Sequence, residues 1–107
     1  MRAKHYMELI TTENGYLINI NEWNAKVASS IAEQNKLKLN TDRWKVINYI
    51  RDFYLKYQAF PTMRIIIKHL RTQEIAADSI YLYQLFPDNP IKLASKIAGL
   101  PEPKNCI

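Results

Sequence analysis

The stretch Asn40-Thr41-Asp42-Arg43-Trp44-Lys45-Val46-Ile47-Asn48-Tyr49-Ile50-Arg51-Asp52-Phe53-Tyr54-Leu55-Lys56-Tyr57 settles the class of fold. Trp44, Ile47, Ile50, Phe53, Tyr54 and Tyr57 recur at helical spacing and predict one broad apolar face on a long helix. Asn40 or Thr41 is suited to cap its start, and Asp42 complements its positive N-terminal end. No other apolar stripe in the 107 residues is as long, so this helix is the expected centre of the core. Phe60-Pro61-Thr62 then breaks the pattern.

Shorter helical patterns lie on either side. Val27, Ala28, Ile31 and Ala32 predict a helix over residues 24–35, with Lys26, Ser29, Glu33 and Gln34 outside the apolar stripe. After the break, Thr62 is suited to cap a helix over residues 63–71 that buries Met63, Ile66, Ile67 and Leu70. Residues 72–77 read as a loop. Asp78 then starts a short aromatic helix that runs to about residue 86. Pro87-Asp88-Asn89-Pro90 separates it from a last helix, which Asn89 can cap and Pro90 can begin. Ile91, Ala94, Ile97 and Ala98 supply the buried side of that helix until Gly99 ends it.

The N-terminal part reads differently. Apolar runs around Leu9-Ile10 and Tyr16-Leu17-Ile18 flank Asn14-Gly15, which predicts a hairpin over residues 6–18. The expected fold class is therefore α+β, mainly α, with a small N-terminal antiparallel β-hairpin or meander packed on about five helices.

Composition narrows the function. A chain of 107 residues with 48% hydrophobic residues, two Trp and seven Tyr is one globular domain. Two glycines argue against phosphate-cradling loops, and one cysteine excludes an internal disulfide, a CxxC pair and a cysteine-based zinc site. His5 and His69 have no partners at metal spacing, so neither metal nor cofactor is expected. The opening residues lack an apolar signal region, and no run approaches the length of a membrane span. A soluble, cytoplasmic protein without a membrane partner is expected.

The net charge of +5 is compatible with contact to RNA or to an acidic protein surface. Arg64, Lys68 and Arg71 share one helical face, and Lys92 and Lys96 form a second basic pair. These groups read either as docking sites or as solvated helix faces. Lys96 stands out because it lies at the base of the tail. The tyrosines Tyr49, Tyr54, Tyr57, Tyr81 and Tyr83 read as core and rim packing rather than as a base-stacking platform.

The tail Gly99-Leu100-Pro101-Glu102-Pro103-Lys104-Asn105-Cys106-Ile107 holds the single cysteine. A free cysteine is most often a small buried hydrophobe, but this position and its flanks argue for chemistry instead. Gly99 stops the helix, and Pro101 and Pro103 keep the backbone extended. Nine extended residues reach roughly 30 Å at most. The chain thus divides into a body, residues 1–98, and a mobile arm, residues 99–107. Cys106 can act only as a thiolate nucleophile or sulfur acceptor, since the chain holds no second thiol to resolve it. Lys104 favours the anion and the adjacent carboxylate disfavours it, so reactivity should depend on the partner site that receives the arm.

The ordered set Lys96-Ile97-Ala98-Gly99-Leu100-Pro101-Glu102-Pro103 followed by Cys106 resembles the C-terminal arm of the DsrC/TusE family of sulfur carriers. The resemblance continues through Tyr81-Leu82-Tyr83-Gln84-Leu85-Phe86-Pro87, Pro90 and Lys92. It also takes in Trp44, Arg51-Asp52-Phe53-Tyr54, Pro61, Arg64, Lys68, Gly15-Tyr16-Leu17 and Trp23. It implies a small N-terminal meander, with a third strand near residues 20–23. It also implies a sulfurtransferase activity with Cys106 as the persulfide-bearing residue. Ser95 departs from the DsrC branch, where a second cysteine stands eleven residues before the last one. The resemblance then points to the one-thiol TusE-like branch, which serves tRNA 2-thiouridine synthesis. In that branch the donor is a TusD-type subunit of a TusBCD-type complex, and the acceptor is an MnmA-type tRNA thiouridylase acting at the wobble uridine. Asn89 is a second departure, since relatives often have glycine before the proline. Lys96, Lys104, Arg64 and Lys68 are the residues expected to dock partners.

A winged-helix DNA-binding module is the competing reading, with residues 44–70 as its helix-turn-helix. It leaves the arm unexplained, and Ile65-Ile66-Ile67 leaves little polar surface for reading bases.

Overall fold

Residues 10–104 are described by a computed structural model in which five helices build the body. They are α1 (Ala25–Gln34), α2 (Thr41–Tyr57), α3 (Met63–Thr72), α4 (Ser79–Leu85) and α5 (Pro90–Ile97). Each begins at a short polar side chain that takes up a backbone donor the helix leaves free. Asn24, Asn40, Thr62, Asp78 and Asn89 accept from the amides of Val27, Arg43, Ile65, Tyr81 and Lys92 at 2.8–3.2 Å. Asn40 is thus the cap of α2, and Thr41 is its first residue. Pro90 stands in the first turn of α5, where its missing N–H has no partner to lose.

The helix exits carry a cost that follows from the scarcity of glycine. Lys36 after α1, Gln58 after α2 and Glu74 after α3 all take positive φ, at 63°, 53° and 64°. A side chain in that region crowds the following carbonyl by roughly 1–2 kcal/mol.

α5 is the centre of the core, in place of the long helix α2. It packs against α1, α2 and α4, and five of its residues are buried: Pro90, Ile91, Ala94, Ser95 and Ile97. α2 contributes a narrower buried face than its periodicity implies, made by Val46, Ile47 and Ile50. Trp44 and Tyr54 are half-buried against that core, while Tyr57 is 57% exposed. Phe53 lies at the rim with Tyr49 and Tyr57, its ring 6.0 Å from one and 4.7 Å from the other. On α3, Ile66 and Leu70 are buried and Met63 and Ile67 are half-buried. Phe86, just past α4, is the largest side chain with no exposure among the described residues.

The expected β-structure is not formed among the described residues. One antiparallel bridge joins Thr11 to Leu17, closed by Thr12 N to Tyr16 O at 2.8 Å and Gly15 N to Thr12 O at 2.9 Å. The turn at Asn14-Gly15 is therefore present without a strand among the described residues. Ile10 and Ile18 beside it are 63% and 61% exposed, so no sheet face is packed there. The first half of the expected hairpin, residues 6–9, lies outside the described residues. The third strand expected near residues 20–23 is instead a 3₁₀ turn, Ile20–Glu22, capped by Asn19. Asn19 Oδ1 accepts from Asn21 N at 3.0 Å, a local bond that competes with strand pairing.

Replacing Glu74 by glycine removes the left-handed strain after α3 at an exposed position. Urea unfolding should show Glu74→Gly more stable by ~0.5–1 kcal/mol, because relief of the strain outweighs glycine's added freedom in the unfolded chain.

Candidate functional site at the base of the arm

The end of α5 is closed by two backbone bonds: Leu100 N to Ser95 O and Gly99 N to Lys96 O, both at 3.1 Å. This Schellman pattern needs a left-handed residue at Gly99, whose φ is +74°. The glycine is also required by space. A Cβ there would lie 2.4 Å from Trp23 Cδ1 and 2.7 Å from Cγ. Trp23 in turn donates through Nε1 to Ile97 O at 2.8 Å, and its ring meets Trp44 edge-on at 6.3 Å.

Arg51 completes the clamp. Its guanidinium lies 4.3 Å from the Trp23 ring centroid and donates to Ala98 O at 2.8 Å and to Ile20 O at 3.1 Å. Burial pushes its pKa down, with Asp52 acting against the shift. An arginine stays charged at neutral pH even so. A cation bonded to two carbonyls and a π-face thus joins α2, the 3₁₀ turn and the exit of α5.

The packed body continues past Ala98, into residues 99–107 expected to form the arm. Leu100 has no exposure, and Pro103 is buried. Between them, Glu102 accepts from Asn14 Nδ2 at 3.0 and 3.3 Å and lies 3.6 Å from Lys92 Nζ. Lys104 is exposed and is the last described residue. It borders a groove of ≈ 400 Å³ with Tyr54, Phe60 and Pro101. Cys106 itself lies outside the described residues.

The basic residues singled out in the sequence fall in different places. Lys92 and Lys96 line one cleft of ≈ 570 Å³ together with Lys36. Lys96 Nζ stands 3.4 Å from Asn35 Oδ1 and 5.2 Å from the Tyr16 ring centroid. Arg64 and Lys68 are exposed on α3 and do not line that cleft. Arg71 is separated from them in role, since its Nε donates to Ala77 O at 2.8 Å and fastens the loop after α3. No three His, Cys, Asp or Glu converge on a metal position among the described residues.

The comparisons with known proteins extend over more than nine-tenths of the chain. The family model described as DsrC like protein matches residues 4–107. The chain belongs to the DsrC-like family. Sulfurtransferase TusE of Buchnera aphidicola subsp. Acyrthosiphon pisum is 42% identical over 104 residues, covering 95% of this chain and 91% of that one. Sulfurtransferase TusE of Escherichia coli K12 is 40% identical over 102 residues, with 94% of each chain covered. The crystal structure of the oxidized gamma-subunit of the dissimilatory sulfite reductase (DsrC) from Archaeoglobus fulgidus has a TM-score of 0.83. Its identity is 36%, over 92% of each chain. Allochromatium vinosum DsrC, solved by NMR, has a TM-score of 0.78 at 39% identity, over 91% of this chain and 88% of that one. Nothing in these likenesses supports the winged-helix DNA-binding reading.

In this DsrC-like chain Ser95 is fully buried, and its Oγ finds no hydrogen-bond partner among the described residues. Position 95 faces the core, so a cysteine there would hold its sulfur inside the body rather than beside the arm. The sequence reading missed Trp23, Arg51 and Asn14 as the residues that fix the arm's base. Their only signal was the family pattern around Trp23 and Arg51, and Asn14 carried none beyond its turn.

Two variants test the base. Gly99→Ala should lose at least ~1–2 kcal/mol in urea melts, because the methyl meets Trp23 and φ stays positive. Ser95→Ala should gain ~1 kcal/mol in the same melts, since it removes an unpaired buried hydroxyl.

Proposed function

We propose that this chain is a sulfurtransferase that works as a one-thiol carrier in a sulfur relay, with Cys106 as the persulfide-bearing residue. The carrying observation is the single cysteine of a chain that matches the DsrC-like family over residues 4–107. The relatives named Sulfurtransferase TusE support transfer of sulfur as the activity.

The chemistry needs no cofactor. The Cys106 thiolate attacks the outer sulfur of a donor persulfide, the donor S–S bond breaks, and the donor leaves as a thiolate. A new S–S bond forms at Cys106, so no net oxidation or reduction occurs. The same exchange then passes the sulfur to an acceptor cysteine. With Ser95 in place of a second thiol, the carrier cannot close on itself and hold the sulfur within the chain.

In this reading the donor is a TusD-type subunit of a TusBCD-type complex. The acceptor is an MnmA-type tRNA thiouridylase that modifies the wobble uridine in the cytoplasm. The chain is packed on the body at Leu100 and again at Pro103, well into the nine residues expected to form the arm. The sulfur-bearing position lies two residues beyond Lys104, at most ~7 Å of chain. The partner must therefore approach the Tyr54–Phe60 side of the body to reach the thiol. Lys96 and Lys104 are assigned to partner docking near the arm, and Arg64 with Lys68 to a separate basic edge on α3.

Incubation with a cysteine desulfurase and a persulfide donor tests this reading by intact mass. The chain should gain one sulfur atom that reductant removes, and Cys106→Ser should gain none while keeping its unfolding midpoint. An adduct that persists in Cys106→Ser would sink the assignment.

A further inference from the structure

The cleft of ≈ 570 Å³ between α5, the loop after α1 and the turn at Asn14 already holds a carboxylate of this chain at its rim. Glu102 sits there between two kinds of donor, the Asn14 amide at 3.0 and 3.3 Å and the Lys92 ammonium at 3.6 Å. Lys36 and Lys96 line the same cleft, and neither forms an ion pair among the described residues. Asp88 is the other acidic residue of the lining, and it pairs with no lysine among the described residues. The rim of the cleft thus accommodates a carboxylate, and two further ammonium groups line it.

We propose that this cleft docks an acidic segment of a partner protein, and that the segment competes with Glu102 for Lys92 and Asn14. Its carboxylates would also take up Lys36 and Lys96. The lining favours a peptide over a phosphodiester backbone. It holds no arginine, the residue suited to bidentate phosphate recognition, and Leu37 and Leu93 give it apolar walls for side-chain methylenes. Exchange is feasible because the Lys92–Glu102 pair is about one-third exposed on each side, and such pairs are held weakly. Glu102 is joined to Cys106 through Pro103, Lys104 and Asn105 alone. Displacing it removes a tether of the strap that follows Leu100, so docking is coupled to presentation of the thiol. That coupling rests on the carrier reading, whereas the dock does not.

Hexaglutamate titrated into the ¹⁵N-labelled full chain at low salt tests the dock without any sulfur chemistry. Saturable shifts are expected at the Asn14 side-chain amide and at the backbone amides of Lys92 and Lys96. Lys96→Ala and Lys36→Ala should each weaken binding ~fivefold, the loss of one ion pair, and Lys45→Ala on α2 should leave it unchanged. Glu102→Gln removes the internal competitor and should tighten binding ~threefold. Absence of saturation, an equal loss in Lys45→Ala, or weaker binding in Glu102→Gln overturns the proposal. Tighter binding of a single-stranded RNA hexamer at the same amides overturns the choice of a peptide. Alkylation of Cys106 by iodoacetamide should speed up with the peptide and in Glu102→Gln, and an unchanged rate overturns the coupling. A dock that behaves as expected in a chain that accepts no sulfur would count against the carrier reading alone.

Discussion

Burial of α5 is the constraint on which the rest of the structure depends. An eight-residue helix is too short to persist by itself in water, yet this one touches α1, α2 and α4. Its small residues Ala94 and Ser95, followed by Ala98, let neighbouring elements approach closely, and all three have no exposure. Once α5 is held on several sides, the chain leaving it has its direction set as well. The exit at Gly99 is then not a hinge between a body and a tether. It is a packed corner under an indole ring.

That corner fixes the direction in which the chain leaves the body. Trp23 and Arg51 bind three successive elements of the exit: the carbonyls of Ile97 and Ala98 directly, and Gly99 by contact. Carbonyls at a helix C-terminus lack intrahelical donors, so an indole N–H and a guanidinium satisfy groups that would otherwise need water. The charged donor adds strength because it works partly out of solvent. Leu100 and Pro103 then anchor the chain by apolar burial, and Glu102 adds a polar contact between them. Buried and exposed positions alternate along this strap, with Leu100 and Pro103 buried and Pro101 and Lys104 exposed.

The basic residues show how similar side chains come to serve different ends. Arg71 is spent on a loop carbonyl, Arg51 on the arm's base, and Lys92 on Glu102. Helical spacing alone groups Arg71 with Arg64 and Lys68, because periodicity reports which face a residue is on and not what is opposite it. The same holds for the tyrosines. Tyr49 stacks on His69 at 3.9 Å and belongs to the rim between α2 and α3.

Much of the fold was legible in the residues because its signals are local. A helix cap joins a side chain to an amide three residues on, so Asn40, Thr62, Asp78 and Asn89 announce their helices without reference to the rest of the chain. The turn at Asn14-Gly15, the stop at Gly99 and the single thiol at Cys106 are equally local facts. The tertiary structure alone decided the features built from residues far apart. Trp23 meets Ile97 across 74 positions, Arg51 meets Ala98 across 47, and Asn14 meets Glu102 across 88. It also decided that α5 and not α2 is central, since the length of an apolar stripe does not say how many elements will cover it, and three helices cover α5. The strands expected near the N-terminus were not formed among the described residues for a related reason. A hairpin signal specifies a turn, but strands need a partner surface to bury their apolar side, and Ile10 and Ile18 find none among the described residues.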